Sequence, residues 1–420
     1  MKVAIVNETL PYPPTAGNRI RTLNLMLRMA KRYEVTYICR AAEDAEETRA
    51  GVDYLQAHGI RAVIADSAPT AKKGLGFYGR LVGNLLSPLP YAVASHNSAP
   101  MRSAIRKMAQ AREFDLWQFE WLAYADAVTD VPNTKSLIIA HNVESLIWKR
   151  YWQTERSKLK SLYLWEQYRK FQRYERQVFR AVSGVVCVSE EDAKLATKEF
   201  SPQRVWVVDN GIDRTYFEAA KPPRYDKTVL FLGSLEWRPN LDAVKLLLSS
   251  IFPALLKMLP DVRLQIVGRR PPQWLKEAVV KAPNVELHAD VADVREYLAS
   301  ASVMAVPLRV GGGSRLKILE ALACGLPVVS TAVGCEGLAL RSGYELTIAE
   351  EDGFAQALLA AIHDPAGARA MAEAGRRLVY EKYDWDVLSQ RLEKTWEQVV
   401  GVSPVTKACA VEPAVAAAMS

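Results

Sequence analysis

Short apolar strand patterns alternate with helical periods along this chain, and the alternation starts afresh near residue 228. The first series places strands at 2–7, 34–39, 61–65, 115–119, 136–140, 185–188 and 205–208. Helices fall at 18–32, 44–58, 75–86 and 99–112, with one long helical stretch, broken once, over 145–181. The second series has strands at 228–232, 262–267, 285–288, 303–307, 328–329 and 345–348. Its helices are 241–258, 274–281, 291–300, 353–363, 366–382 and 386–400. Such alternation specifies parallel sheets covered by helices, an α/β class. A chain of 420 residues exceeds what one core supports, so the series read as two Rossmann-like domains, 1–206 and 207–384, with a cleft between them. Residues 207–226 form the linker, because 214–226 has no period and holds Pro222 and Pro223. The Ala/Pro/Val-rich tail 401–420 is expected to be disordered.

Within the second series, residues 310–337 concentrate the chemistry. Gly311, Gly312 and Gly313 precede Ser314, a candidate N-cap, and Leu316, Leu319 and Leu322 then recur at helical spacing. A glycine loop opening a helix is an anion site, since free N–H groups and the helix dipole point at the ligand. Arg315 and Lys317 in the first turn supply cations, and Glu320 supplies a carboxylate that can accept from sugar hydroxyls. Spacing alone equally allows a tight strand-to-helix turn with solvated charges. The first β-loop-α-β unit lacks G-x-G-x-x-G. Its single glycine, Gly17, is followed by Arg19 and Arg21, which read either as phosphate contacts or as solvated helix charges. His141 ends a strand, where open α/β sheets bind ligands, although a lone histidine is as readily structural.

Five scattered cysteines without C-x-x-C and five widely spaced histidines support neither a disulfide framework nor a metal site. No apolar run reaches the roughly 20 residues of a spanning helix, and the N-terminus reads as a strand, so the expected location is cytoplasmic. The net charge of +7 is uneven: residues 1–206 hold 30 Lys and Arg against 21 Asp and Glu. Over 145–181, ten basic residues interleave with Trp148, Tyr151, Trp152, Tyr163, Trp165, Tyr168, Phe171, Tyr174 and Phe179. That pattern suits docking on the cytoplasmic face of an anionic membrane, or a helix that packs its aromatics inward and snorkels its charges. No RNA- or DNA-binding motif accompanies it, so nucleic acid is not an expected partner.

The 310–337 stretch, Asn210-Gly211-Ile212-Asp213, the run from Gly233 to Asn240 and Ile266-Val267-Gly268-Arg269 occur in this order. Together they resemble retaining glycosyltransferases of family 4, with the GT-B fold. More narrowly, they resemble a bacterial subfamily associated with exopolysaccharide and exosortase loci. The resemblance implies that the second domain binds a UDP- or GDP-sugar and the first a glycan or lipid-linked acceptor, with 385–400 crossing back as a terminal helix. It implies that Glu320 holds the donor ribose, that His141 contacts the transferred sugar, and that Arg238, Arg315 and Lys317 stabilise the departing diphosphate. Gly233, Asn240, Gly268, Arg269, Val291, Gly311, Gly312, Gly313, Ser314 and Leu316 would complete the donor site, with Gly17 and Arg21 as the facing phosphate loop. No metal or other cofactor is implied, because in this fold cations take that role. The chain departs from the family at Gly312, where E-x7-E has its first glutamate, and at Asn240, where the usual Arg/Lys pair would lie. The first departure motivates the alternative of an inactive sugar-nucleotide-binding relative; a sugar-nucleotide 2-epimerase is the other same-fold alternative.

Overall fold

A computed structural model of the chain describes residues 1–14, 17–67, 75–224, 226–310 and 315–401. The first sheet contains β1 (Lys2–Val6), β2 (Glu34–Arg40), β3 (Arg61–Asp66), β4 (Leu116–Phe119), β5 (Ser136–Ala140), β6 (Gly184–Cys187) and β7 (Val205–Val207). Their spatial order is β3-β2-β1-β4-β5-β6-β7, and every pair is parallel. The second sheet contains β8 (Thr228–Leu232), β9 (Arg263–Gly268), β10 (Val285–Ala289), β11 (Val303–Val306), β12 (Val328–Ser330) and β13 (Thr347–Ile348). Its order is β10-β9-β8-β11-β12-β13, again parallel throughout. Strands such as β8 (TVLFL) are buried along their whole length, as a sheet covered on both faces requires. Alternate residues of β1 enter different cores, Ala4 and Val6 on one face and Val3 and Ile5 on the other.

Each sheet reverses its strand order once, between β1 and β4 and between β8 and β11. Crevices at the carboxyl ends of strands flanking such reversals are where open α/β sheets take ligands. The two sheets thus define two candidate loci before any side chain is considered.

The terminal helix Trp385–Val400 belongs to the first unit by packing. Trp385, Leu388, Leu392, Trp396 and Val399 are buried in the core that contains Val3, Ile5, Leu23 and Met26. Gly211 lets the chain crossing pass. A Cβ there would lie 2.4 Å from Tyr383 O, and Ile212 exchanges backbone hydrogen bonds with Tyr383 and Trp385 at 2.8 and 3.1 Å.

The single break expected in 145–181 is found, one of the two readings of its aromatics holds, and other local expectations change. The stretch 145–181 is two helices, Glu144–Thr154 and Lys158–Ala181, separated where Glu155 Oε1 accepts from Ser157 N. Phe171, Tyr174 and Phe179 are core residues, Trp148 stacks on Phe171 and Trp152 on Tyr168, so these aromatics pack inward. Residues 214–226 are not structureless: Asp213 caps a short helix, Arg214–Glu218, by accepting from Tyr216 N. The helix expected from 241 begins at Arg238, because Pro239 suits a first turn. The helix expected from 291 begins at Arg295, leaving Val291 in the preceding loop. Arg315, with φ 48° in the left-handed region, takes the cap position assigned to Ser314, and the helix runs Leu316–Ala323. Gly311, Gly312, Gly313, Ser314 and the tail beyond Gly401 lie outside the described residues.

Trp396 Nε1 donates to Gln118 Oε1 at 2.7 Å in a buried setting. Trp396→Phe keeps the ring volume but strips the Gln118 amide oxygen of that donor. The expected loss is about 1–3 kcal/mol of stability, read as a lower urea midpoint; an unchanged midpoint would show that the bond holds nothing.

Candidate functional site

At the second locus the ends of β8 and β9 approach so closely that only glycines fit. A Cβ on Gly268 would lie 1.9 Å from Gly233 O, while Gly233 N donates to Val267 O and Leu235 N to Arg269 O. A Cβ on Gly233 would in turn stand 2.7 Å from Lys317 Nζ and 2.9 Å from Asn240 Nδ2. The turn after β8 and the helix after β11 therefore converge on one small polar space.

Lys317 Nζ donates to Asn240 Oδ1 at 2.7 Å and sits 4.7 Å from the Phe231 ring centroid, while Asn240 Nδ2 donates to Ser234 O. Burial, reinforced by Arg315 and opposed by Glu320, brings the lysine down to about 7. Burial raises the Glu320 carboxyl to about 7, with Lys317 pulling against it. Neighbours one helical turn apart thus hold a cation and an anion at the edge of neutrality, an arrangement typical of sites awaiting a charged ligand. Arg315 is buried; its Nη2 lies 3.4 Å from Glu336 Oε2, and its Nε donates to Glu336 O. Burial lowers its pKa, against the pull of Glu336.

At the first locus the organising group is Glu120, immediately after β4. It accepts from Thr22 Oγ1 at 2.7 Å and from Gln118 Nε2 at 2.6 Å, and lies 3.1 Å from His141 Nε2. Burial would raise this carboxyl, but His141, Thr22 and the Arg21 charge outweigh it and hold it below the ordinary value. Arg21 is not a solvated helix charge. It is 1% exposed, its Nη1 donates to the Asp209 carbonyl, and its Nη2 has no hydrogen-bond partner in this structure. Burial draws it down to about 10. Gly17 opens the helix Gly17–Met29 that carries Arg21 and Thr22 to this point.

The units face each other across a cavity of about 290 Å³ lined by Asn142, Arg150, Asp192, Asn210, Arg315 and Glu336, among others. Arg150 of the first unit reaches Glu336 at 3.3 Å, so one carboxylate serves cations from both walls. Gly337, with φ 83°, allows the approach, since its Cβ would come within 3.0 Å of Ser189 Cβ. Arg238 crosses the same gap with its guanidinium 5.6 Å from the Tyr151 ring. Nearby, burial raises the Glu144 carboxyl to about 7, against a hydrogen bond from Trp121 Nε1.

The structure therefore brings together Gly233, Asn240, Gly268, Arg315, Leu316, Lys317 and Glu320 around one locus and Gly17, Arg21 and His141 around the other. Arg238 stands at the rim. Arg269 enters through its carbonyl, and Val291 packs partly buried against the second core. Glu120, Arg150 and Glu336 escaped sequence reasoning. Glu120 was discoverable as the residue ending the strand beside β1; Arg150 and Glu336 meet only through the docking of the units. A D-x-D triplet, Asp384-Trp385-Asp386, is helix-capping: Asp384 accepts from Asp386 N. Among the described residues, no group of three or more His, Cys, Asp or Glu is arranged to hold a metal ion.

Known proteins resemble this chain in sequence and fold. Residues 17–216 match the family model described as Glycosyltransferase Family 4, and residues 226–364 match Glycosyl transferases group 1. An uncharacterized 44.6 kDa protein in the cps region of Klebsiella pneumoniae is 24% identical over 91% of this chain and 96% of its own length. A phosphatidyl-myo-inositol mannosyltransferase of Mycolicibacterium smegmatis is 31% identical over 46% of this chain and 52% of its own. The solved structure of HepE from Anabaena in complex with UDP and glucose superposes with a TM-score of 0.65 at 15% identity. That match covers 95% of this chain and all of the other, and it shows the fold alone.

Lys317, half-buried and desolvated, is a stability cost to the fold. A folded-state pKa below the unfolded one means that the unfolded chain binds more protons between about 7 and 10.5, so Lys317 makes stability rise with pH across that window. Lys317→Met should raise the thermal midpoint of the ligand-free protein, and by more at pH 6, where the wild-type ammonium is charged, than at pH 9. An equal shift at both pH values would place the ammonium in solvent.

Proposed function

The chain belongs to the family 4 glycosyltransferases of GT-B fold, and from that premise we propose that it moves a sugar, with retention of configuration, from a UDP- or GDP-sugar to an acceptor. The acceptor is a glycan or lipid-linked glycan, handled at the cytoplasmic face of a membrane during exopolysaccharide or cell-surface polysaccharide synthesis. The cps-region relative supports that setting, and the UDP and glucose in the Anabaena structure support the donor class. The observation that carries the reading is the meeting of Lys317, Asn240, Gly233 and Glu320 at the carboxyl ends of β8 and β11.

In this reading the bond between the sugar's anomeric carbon and the diphosphate oxygen breaks, and negative charge gathers on the leaving nucleoside diphosphate. Lys317 and Arg315 stand ready to receive it, with N–H groups of the helix start behind them. Each charge-assisted hydrogen bond is worth roughly 1.5–3 kcal/mol, so two contribute about 3–6, a rate factor on the order of 10²–10⁴. Glu320 accepts from the ribose hydroxyls. The acceptor hydroxyl attacks the face the diphosphate leaves and gives its proton to the departing diphosphate oxygen, so no protein nucleophile is needed. His141, held by Glu120, contacts the transferred sugar from the first unit, and Arg21 completes the phosphate loop. The cations act without a metal.

A panel of UDP- and GDP-sugars scored by thermal shift tests the donor class, since a ligand that binds only the folded state raises its midpoint by mass action. Glu320→Ala and Arg315→Ala should each weaken the selected donor at least tenfold by calorimetry; wild-type affinity in both would remove the site. Lys317→Ala should lower kcat/KM by about 10², on the order of one oxyanion-type donor. An incoming diphosphate raises the Lys317 pKa. At pH 8, nucleotide binding should therefore take up protons, seen as a dependence of the apparent enthalpy on buffer, and Lys317→Met should abolish that uptake. Donor binding with no transfer to any acceptor extract would favour the binding-only alternative that Gly312 raises.

A further inference from the structure

Three acids occur between residues 145 and 181, and one of them is buried. Glu155 and Glu166 are partly exposed, whereas Glu175, on the helix Lys158–Ala181, is 0% exposed. Its two oxygens meet backbone amides: Oε1 accepts from Glu144 N at 2.7 Å and Oε2 from Ser145 N at 3.1 Å. These are the first two amides of the helix Glu144–Thr154, which have no acceptor within their own helix. The cap position holds Val143, which has no side-chain oxygen and is buried in the same core as Tyr174 and Val178. A serine or aspartate there would reach one such amide locally. A carboxyl brought in from another helix does more, because it also fixes where the capped helix begins relative to its neighbour. The helix dipole favours an acid at this end.

The run from His141 to Ser145 is thereby tied to two parts of the first unit. His141 Nε2 lies 3.1 Å from Glu120 Oε2, and Glu144 Oε1 accepts from Trp121 Nε1 at 3.3 Å. Both of these partners follow β4 directly. The other tie is Glu175, and between the two Val143 is seated in the core with 2% exposure. Asn142 and Val143 line the inter-unit cavity, as do Leu146, Ile147 and Arg150 further along the same helix. The start of that helix therefore sets where each of these groups stands.

We propose that Glu175 is a positioning residue for the candidate site: by capping the helix Glu144–Thr154 from a neighbouring helix, it fixes the run His141–Ser145 and with it the place of His141. Being fully buried, Glu175 acts through this run alone. Its part in sugar transfer rests on the function proposed above, in which His141 contacts the transferred sugar; its hold on His141 does not. Taking away an acceptor oxygen leaves a buried N–H without a partner, and a helix start relieves that by shifting or fraying. The preceding residues, His141 among them, shift with it. Lys317 and Glu320 belong to the second unit and keep their surroundings. The defect should accordingly fall on the chemical step and spare donor affinity.

The test uses the full chain with isotope-labelled histidine, whose five ring signals are followed by NMR, the His141 signal being identified by its loss in His141→Gln. Glu175→Gln keeps the volume but presents an N–H where one carboxyl oxygen accepted. It should shift or split the His141 signal and leave those of His58, His288 and His363 in place. Glu175→Asp keeps the acid but withdraws it by one methylene; it should move the same signal, and it serves where the glutamine variant does not fold. Ile105→Ala is the control for lost stability alone, since it truncates a buried residue of the same core on the helix Ala99–Gln110. It should lower the thermal midpoint without moving His141. In transfer assays Glu175→Gln should lower kcat about tenfold or more, as misplacing a reacting-site group does, with donor affinity by calorimetry unchanged. An unmoved His141 signal in a folded Glu175 variant, or an equal shift in Ile105→Ala, would overturn the proposal. So would a wild-type kcat in Glu175→Gln. A wild-type protein that transfers no sugar would instead strike the function above, and the histidine spectra would still decide whether Glu175 holds His141.

Discussion

A buried carboxylate, Glu120, is the constraint on which the first unit is assembled. Removing an anion from water is costly unless its lone pairs are filled, and four side chains from three elements supply the compensation. Thr22 comes from the helix after β1, Gln118 from β4, and His141 from the end of β5, while Arg21 contributes charge. Gln118 is in turn fixed by Trp396 of the terminal helix. A single satisfied anion thereby ties the helix after β1, the two strands beside the order reversal, and the last helix of the chain. It also sets which ring nitrogen of His141 faces inward.

The second unit solves a different problem, bringing two backbone turns and a cation into one space. Gly233 and Gly268 do this by lacking side chains, and Lys317 fills the room they leave. The lysine reaches across from the helix after β11 to Asn240 on the helix after β8, so the ammonium stands at the turn where the family resemblance expects a cation from the other element. The position of the charge is kept while the residue that provides it changes.

Much of this was legible before any coordinates. Alternating periods specify the parallel sheets, and the glycines at 233 and 268 mark close approaches because nothing else in those strands explains them. Lys317 and Glu320 are readable as a pair from helical spacing. What was illegible depends on docking. The burial of Arg21 comes from Asp209, nearly two hundred residues away, and nothing near Gly17 announces it. The aromatics of 145–181 left two readings open because composition cannot tell a face that packs from one that is exposed; Phe171 and Phe179 went inward while Leu159 and Leu162 stayed out. Boundaries slipped where local chemistry overrode the period, as when Pro239 drew a helix start back to Arg238.

Glu336 gives the cleft one more property. It lies between Arg150 of one wall and Arg315 of the other and is paired with both. The resting cleft is thus already charge-compensated. On the proposed reading, a diphosphate entering it trades places with a resident carboxylate instead of meeting bare cations. Recognition at Arg315 then becomes a competition between two anions. The released Glu336 loses its cross-cleft partner in the same event, so ligand entry and the loosening of the two walls are one step.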